Sequence, residues 1–145
     1  MSFVLDHRLE ESSFFITDWD LCRVSLKNDT TWPWLYLVPR RDKIREIYEL
    51  KPEDQIQLMR EISLASKALH SLYRPEKINT AALGNMVPQL HIHVFARFTD
   101  DPAWPKPVWA VQRDEISYTD SGRKTEVLKL KNCFDKMRAG GENIT

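Results

Sequence analysis

The sequence lacks a long apolar run, lacks net charge and has almost no cysteine. None of its 145 residues belong to a stretch approaching the roughly 20 apolar residues that span a bilayer. Met1 to Glu10 carries Asp6, Arg8 and Glu10 where a signal peptide needs hydrocarbon. No membrane partner is expected. Lysine and arginine total 21, matched by 21 aspartates and glutamates, so no basic field would draw in long nucleic acid. Arg40, Arg41 and Lys43 form a local basic group that reads as a solvated turn. The two cysteines, Cys22 and Cys133, have no metal spacing and read as reduced, packed thiols of a cytoplasmic protein. Repeats, low-complexity segments and a boundary for a second domain are also missing, so residues 1–145 read as one domain with a real core.

What is present begins with tryptophan. Of five, Trp32, Trp34, Trp104 and Trp109 lie within two residues of a proline, as on rigid, partly exposed edges. A short helix is expected around Asp6–Glu10. Phe14-Phe15-Ile16 reads as a strand, Asp18-Trp19-Asp20 as a turn, and the alternation of Leu21 to Leu26 as a second strand pairing back. Trp34 to Val38 is nearly all apolar, hence a strand covered on both faces, closed by Pro39. Arg40 to Leu50 has room for one helical turn. Pro52 then opens the strongest helix, with Glu53 and Asp54 in its first turn. Leu58, Ile62, Ala65, Leu69 and Leu72 form its apolar stripe, and Pro75 ends it. His70 reads as a surface residue near its end. Lys77 to Leu83 is a fourth strand, and Gly84-Asn85 a tight turn. Asp100 to Trp109 is too rich in proline for regular structure and reads as a pocket rim or a surface for a second subunit. Val127, Leu130, Phe134 and Met137 mark a helix over about 120–138, after which the last residues should fray.

Between these elements lies Gln89-Leu90-His91-Ile92-His93-Val94-Phe95-Ala96. Strict alternation from Leu90 to Ala96 predicts a strand with Leu90, Ile92, Val94 and Ala96 in the core. Gln89, His91, His93 and Phe95 face the other way, roughly 7 Å apart in succession. Half of the four histidines share this short face. Two jobs suit them. One is metal binding, which needs further ligands, and His7, His70, the cysteines and the carboxylates form no ligand pattern. The other is nucleophilic attack, the second imidazole managing phosphate charge. Gly84, Asn85 and Met86 would supply close-approaching backbone and amides for the anion, and Asn79 a neutral donor.

The run Asn79-Thr80-Ala81-Ala82-Leu83-Gly84-Asn85-Met86-Val87-Pro88-Gln89-Leu90-His91-Ile92-His93-Val94-Phe95-Ala96-Arg97 resembles the signature of the histidine triad (HIT) superfamily. The resemblance covers about residues 14–110, including Asn28, Val38-Pro39-Arg40, the long helix and the Trp104 loop. Bacterial HIT hydrolases of the diadenosine polyphosphate type fit best.

The resemblance implies an α+β fold: an antiparallel sheet of about five strands with two main helices, dimerising. It implies a nucleotide hydrolase cleaving at the α-phosphate of a dinucleoside polyphosphate or nucleoside phosphoramidate, with a purine nucleotide as partner and no cofactor. His91 falls on the nucleophile and His93 on the third triad position. The first position is Gln89, which cannot titrate. Asn28 would hold the ribose, Leu26 would flank the base, and Asn79, Gly84, Asn85, Met86 and Trp104 would complete the site. Trp34 stands where the family has a further histidine, which is expected to remove a polar partner. The whole reading requires His91 to open onto an anion-lined hollow. Its rivals are a metal-dependent hydrolase and a nucleotide-binding protein of low activity.

Overall fold

The computed structural model describes residues 3–141. The fraying expected at the C-terminus falls on residues 142–145 and lies outside them. A short helix, α1 (His7–Glu11), is capped by Asp6, whose carboxylate accepts the Arg8 N–H. Strands β1 (Ser13–Asp18) and β2 (Cys22–Lys27) form a hairpin, with a bulge between Phe15 and Thr17. Strand β3 (Trp34–Pro39) is buried along its whole length. The long helix α2 (Pro52–Tyr73) leads to β4 (Lys77–Ala81) and β5 (Ile92–Arg97), and α3 (Asp120–Ala139) ends the chain. The strands form one open sheet in the order β1-β2-β3-β5-β4, with every pair antiparallel. The α+β architecture matches expectation.

Helices α2 and α3 cover one face. Leu58, Leu64, Ala65 and Leu69 of α2 meet Val24, Leu35, Ile92 and Val94 of the sheet, and Leu130 and Phe134 of α3 close the layer. Burying each large side chain contributes about 1.5–3 kcal/mol. Helix α2 starts with Pro52 in its first turn, where Asp54 takes a two-pronged bond from Arg41 at 2.7 and 3.0 Å. Arg41 is therefore paired rather than a free solvated cation. The helix ends on Arg74 in the left-handed region, φ 51°, and Pro75 prevents another turn. The expected stripe is correct but incomplete. Glu61 also lies in the core, its carboxylate accepting the Leu21 and Cys22 N–H groups at 2.9 and 2.8 Å. It ties the β1–β2 turn to α2.

The other face is covered as well. Trp32, Trp34, Tyr36, Val38 and Phe95 form an aromatic layer roofed by Leu9 of α1 and by Ala103 and Val108 from the loop after β5. That loop is held by Arg97, 2% exposed, whose guanidinium grips Asp101, 3% exposed, at 2.8 and 3.1 Å and also donates to the Lys106 carbonyl. Burial pushes the Asp101 carboxyl up, but Arg97 and backbone N–H donors outweigh it and hold it well below the ordinary range.

Of the strand boundaries that differ from expectation, two lie beside the histidines. β5 begins at Ile92, not Leu90, because the Leu90 N–H goes to the Ile44 carbonyl at 2.9 Å rather than to a neighbouring strand. His91 thus sits just ahead of the strand. β4 stops at Ala81, opposite His93, since little of β5 extends beyond that pair.

Candidate active site

Strand parity puts His93 on the aromatic face, paired with Tyr36 of β3 and Ala81 of β4. His91 and His93 lie ring to ring, their centroids 4.9 Å apart. Both are mostly buried, 7% and 8% exposed. His91 nevertheless borders a cavity of about 420 Å³, together with Arg45, Gln55, Gly84 and Leu90. The cavity's charged lining residues are one of each sign, Arg45 and Glu46. Gly84 has φ +73°, a conformation that favours glycine and turns the chain beside this cavity.

Each imidazole has one nitrogen engaged. His91 Nδ1 lies 2.7 Å from the Gln89 main-chain carbonyl. A carbonyl only accepts, so Nδ1 carries the proton and the Nε2 lone pair is left for chemistry. His93 Nδ1 lies 3.0 Å from the indole Nε1 of Trp34. An indole N–H only donates, so this nitrogen is unprotonated. Burial, then the neighbouring His91 and Lys27, depress the His93 pKa to about 3. The expectation that Trp34 removes a polar partner is overturned, because its ring edge supplies one.

The other candidate residues divide. Gln89 turns its amide away from the histidines: Oε1 accepts the Asp6 N–H at 2.8 Å and Nε2 donates to the Val4 carbonyl at 2.9 Å. It latches the N-terminal segment, leaving its backbone carbonyl as its link to His91. Arg8 adds a bond to the Met86 carbonyl at 2.9 Å. The Met86 side chain and Asn85 are exposed. Asn79 shares the aromatic face, opposite Phe95, but its side-chain oxygen accepts from Arg97 at 2.9 Å. Asn28 is occupied by the Tyr118 N–H at 2.9 Å. Leu26 is not brought to the site. It pairs with Leu35, which pairs with Val94, so it points into the helix-side core. Trp104 stacks near Arg97, 5.5 Å from its ring. The loop tryptophan that reaches the histidines is Trp109, 5.1 Å from His93 and 5.5 Å from Trp34. Tyr36 and Arg45 were not singled out from the sequence, Trp34 was read only as the loss of a partner, and Trp109 only as part of the loop rim. The shared parity of Trp34 and Tyr36 on an adjacent strand was the available signal.

Among the described residues, no three or more His, Cys, Asp or Glu side chains gather as a metal could use. No helix among them is long and apolar enough to cross a membrane.

An open antiparallel five-stranded sheet with two helices on one face and a pair of adjacent imidazoles on the other defines an α+β class of fold. A HIT domain is matched over residues 8–100. The chain therefore belongs to the HIT family, whose members are generally nucleotide hydrolases or transferases. It is similar to the crystal structure of a histidine triad protein from Bradyrhizobium japonicum, with 41% identity, 92% of this chain and 99% of that one covered, and TM-score 0.87. A histidine triad protein from Sinorhizobium meliloti shares 42% identity over 90% and 96% of the chains, TM-score 0.86. One from Marinobacter aquaeolei shares 44% over 92% and 97%, TM-score 0.88. No curated protein matches the chain.

Proposed function

We propose that the protein hydrolyses a dinucleoside polyphosphate or a nucleoside phosphoramidate through a nucleotidyl-histidine intermediate at His91. One observation carries this reading: the Gln89 carbonyl holds His91 Nδ1–H at 2.7 Å and leaves Nε2 as a lone-pair nucleophile, on a residue that borders the cavity. Nε2 attacks the α-phosphorus, the nucleotide of a dinucleoside polyphosphate or the amine of a phosphoramidate leaves, and water then breaks the P–N bond to release the nucleoside monophosphate. Covalent catalysis splits one displacement into two easier ones. The turn at Gly84, Asn85 and Met86 supplies backbone amides to the phosphate oxygens, and Arg45 supplies positive charge. Gln89 acts through its main chain.

A purine nucleotide is the proposed partner, and two copies of the chain are proposed to pair as a homodimer. The two unpaired thiols suit a reducing, cytoplasmic setting. Asn28 and Asn79 can serve the ligand only by exchanging their present partners.

The test is turnover of an adenosine phosphoramidate and of a diadenosine polyphosphate by His91→Ala. Activity should fall by about 10³-fold or more, the scale lost with a unit of covalent machinery. Quenched wild-type reactions should show a mass increase of one adenylyl group on the peptide holding His91. Retained activity in the variant would refute the mechanism.

A further inference from the structure

We propose that Trp34 is a positioning residue that fixes His93 as a neutral imidazole with its single proton on Nε2, the opposite tautomer to His91. The inference rests on the nucleotidyl-histidine reading for its catalytic meaning, but not for its structural content.

The two rings are neighbours with the same chemistry, and their outer bonds point opposite ways. The partner of His91 Nδ1 is a carbonyl, which cannot give a proton. The partner of His93 Nδ1 is an indole N–H, which cannot take one. Exchanging the two tautomers would break both bonds, setting a lone pair against an oxygen at one ring and N–H against N–H at the other. Protonating His93 would create the same N–H against N–H clash. Each unmade buried bond costs about 1–3 kcal/mol.

The surroundings enforce this. His93 is faced by Tyr36 of β3 at 5.5 Å between centroids, by Trp109 from the loop at 5.1 Å and by His91 at 4.9 Å. The nearest cation is Lys27 of β2, over the Trp34 ring at 5.2 Å. Among the described residues no carboxylate bonds its ring to favour an imidazolium, and the Lys27 ammonium is itself paired with Glu115. The Trp34 ring is itself fixed, stacked on Phe95 at 4.3 Å and 19°, so its N–H cannot swing away.

The consequence is a division of labour. His91 offers a lone pair. His93 offers a neutral N–H donor for charge developing on the substrate, and takes up no second proton. A donor that is neutral throughout adds no repulsion when the adduct makes the His91 ring cationic.

The first experiment needs neither substrate nor variant. Side-chain ¹⁵N spectra of the wild-type protein should show His93 protonated at Nε2 only, unchanged from pH 5 to pH 8. A proton on Nδ1, or a titration centred in that range, overturns the proposal. Trp34→Phe keeps an aromatic ring and removes the donor. In it His93 should populate both tautomers and begin to titrate above pH 5. With adenosine phosphoramidate, kcat should fall about tenfold or more, short of the roughly 10²–10³ lost with an oxyanion donor. KM should move less than about threefold, since the indole touches His93 rather than ligand, and a new ionisation should enter the kcat profile between pH 5 and 8. Equal losses in kcat and KM, with the His93 spectrum unchanged, would also sink it. Absence of an adduct at His91, with His93 spectra as stated, would defeat the hydrolase reading and leave the tautomer assignment standing.

Discussion

Replacing Gln89 with alanine separates two roles for the first triad position. If the amide held charge developing on the substrate, its loss should cost roughly the 10²–10³-fold typical of an oxyanion donor. The geometry assigns it a different task. Its amide makes one bond from Asp6 N–H and one to the Val4 carbonyl, both at ordinary lengths. Each is worth about 0.5–1.5 kcal/mol net, so Gln89→Ala should weaken docking of the N-terminal segment by about 1–3 kcal/mol. The Arg8 bond to Met86 and the burial of Leu9 remain, so the segment should stay docked but open more often. Amide hydrogen exchange reads this directly. The Leu9 and Glu10 N–H groups both donate to the Asp6 carbonyl at 3.0 Å and report opening of α1. Their exchange should accelerate about 5- to 150-fold, the rate equivalent of 1–3 kcal/mol at tenfold per 1.4 kcal/mol. Amides of β5 should not change. Turnover should fall less than about tenfold, through a looser Met86 turn. Unchanged exchange at Leu9 and Glu10, with a hundredfold or greater loss of kcat, would refute the latch and place the amide in the chemistry.

Two further outcomes follow from buried charge. Arg97→Leu leaves Asp101 buried without its cation, a defect costing about 3–5 kcal/mol. Three backbone N–H donors, from Phe98, Ala103 and Trp104, still serve that carboxylate, so the low end applies. At about 2–4 °C per kcal/mol for a chain of this size, Tm should drop about 6–12 °C, and adding Asp101→Asn should recover part of it. Calorimetry showing no loss would mean that the pair does not anchor the loop. The second outcome concerns pH. His93 titrates near 3 folded against 6.5 ordinarily, so the unfolded chain binds more protons between those values. Its contribution is complete above about pH 6.5 and is lost as pH falls toward 3. The slope is at most about 1.4 kcal/mol per pH unit, one proton's worth. Subtracting denaturation curves of His93→Asn from wild type over pH 3.5–7.5 isolates it, and a flat difference would contradict the burial assigned here.

Local patterns carried most of the fold. Alternation at Leu21–Leu26 and Leu90–Ala96, and the stripe from Leu58 to Leu72, are consequences of period and burial, which act over a few residues. Alternation puts Leu26 on one strand face with Cys22 and Val24, and the structure buries that face in the core. The family resemblance suggested a base-contacting role for it, and the core face prevails. The Trp34–His93 bond was not legible, because it depends on register between strands 59 residues apart. The same holds for Gln89 and Val4, separated by 85 positions. Choosing between Trp104 and Trp109 required the Arg97–Asp101 anchor, which sets the path of a loop that has no periodicity to read.

The aromatic side of the sheet is roofed from both ends of the chain, by Leu9 near the start and by Ala103 and Val108 after the last strand. The recognisable family segment stops at residue 100. A fragment trimmed to that segment would strip Trp34 and Phe95 of half their shelter, and would remove Leu130 and Phe134 from the opposite layer. Such a piece should expose oily ring surface and clump rather than fold. The histidine motif is compact along the chain, but the shell that keeps it dry is not.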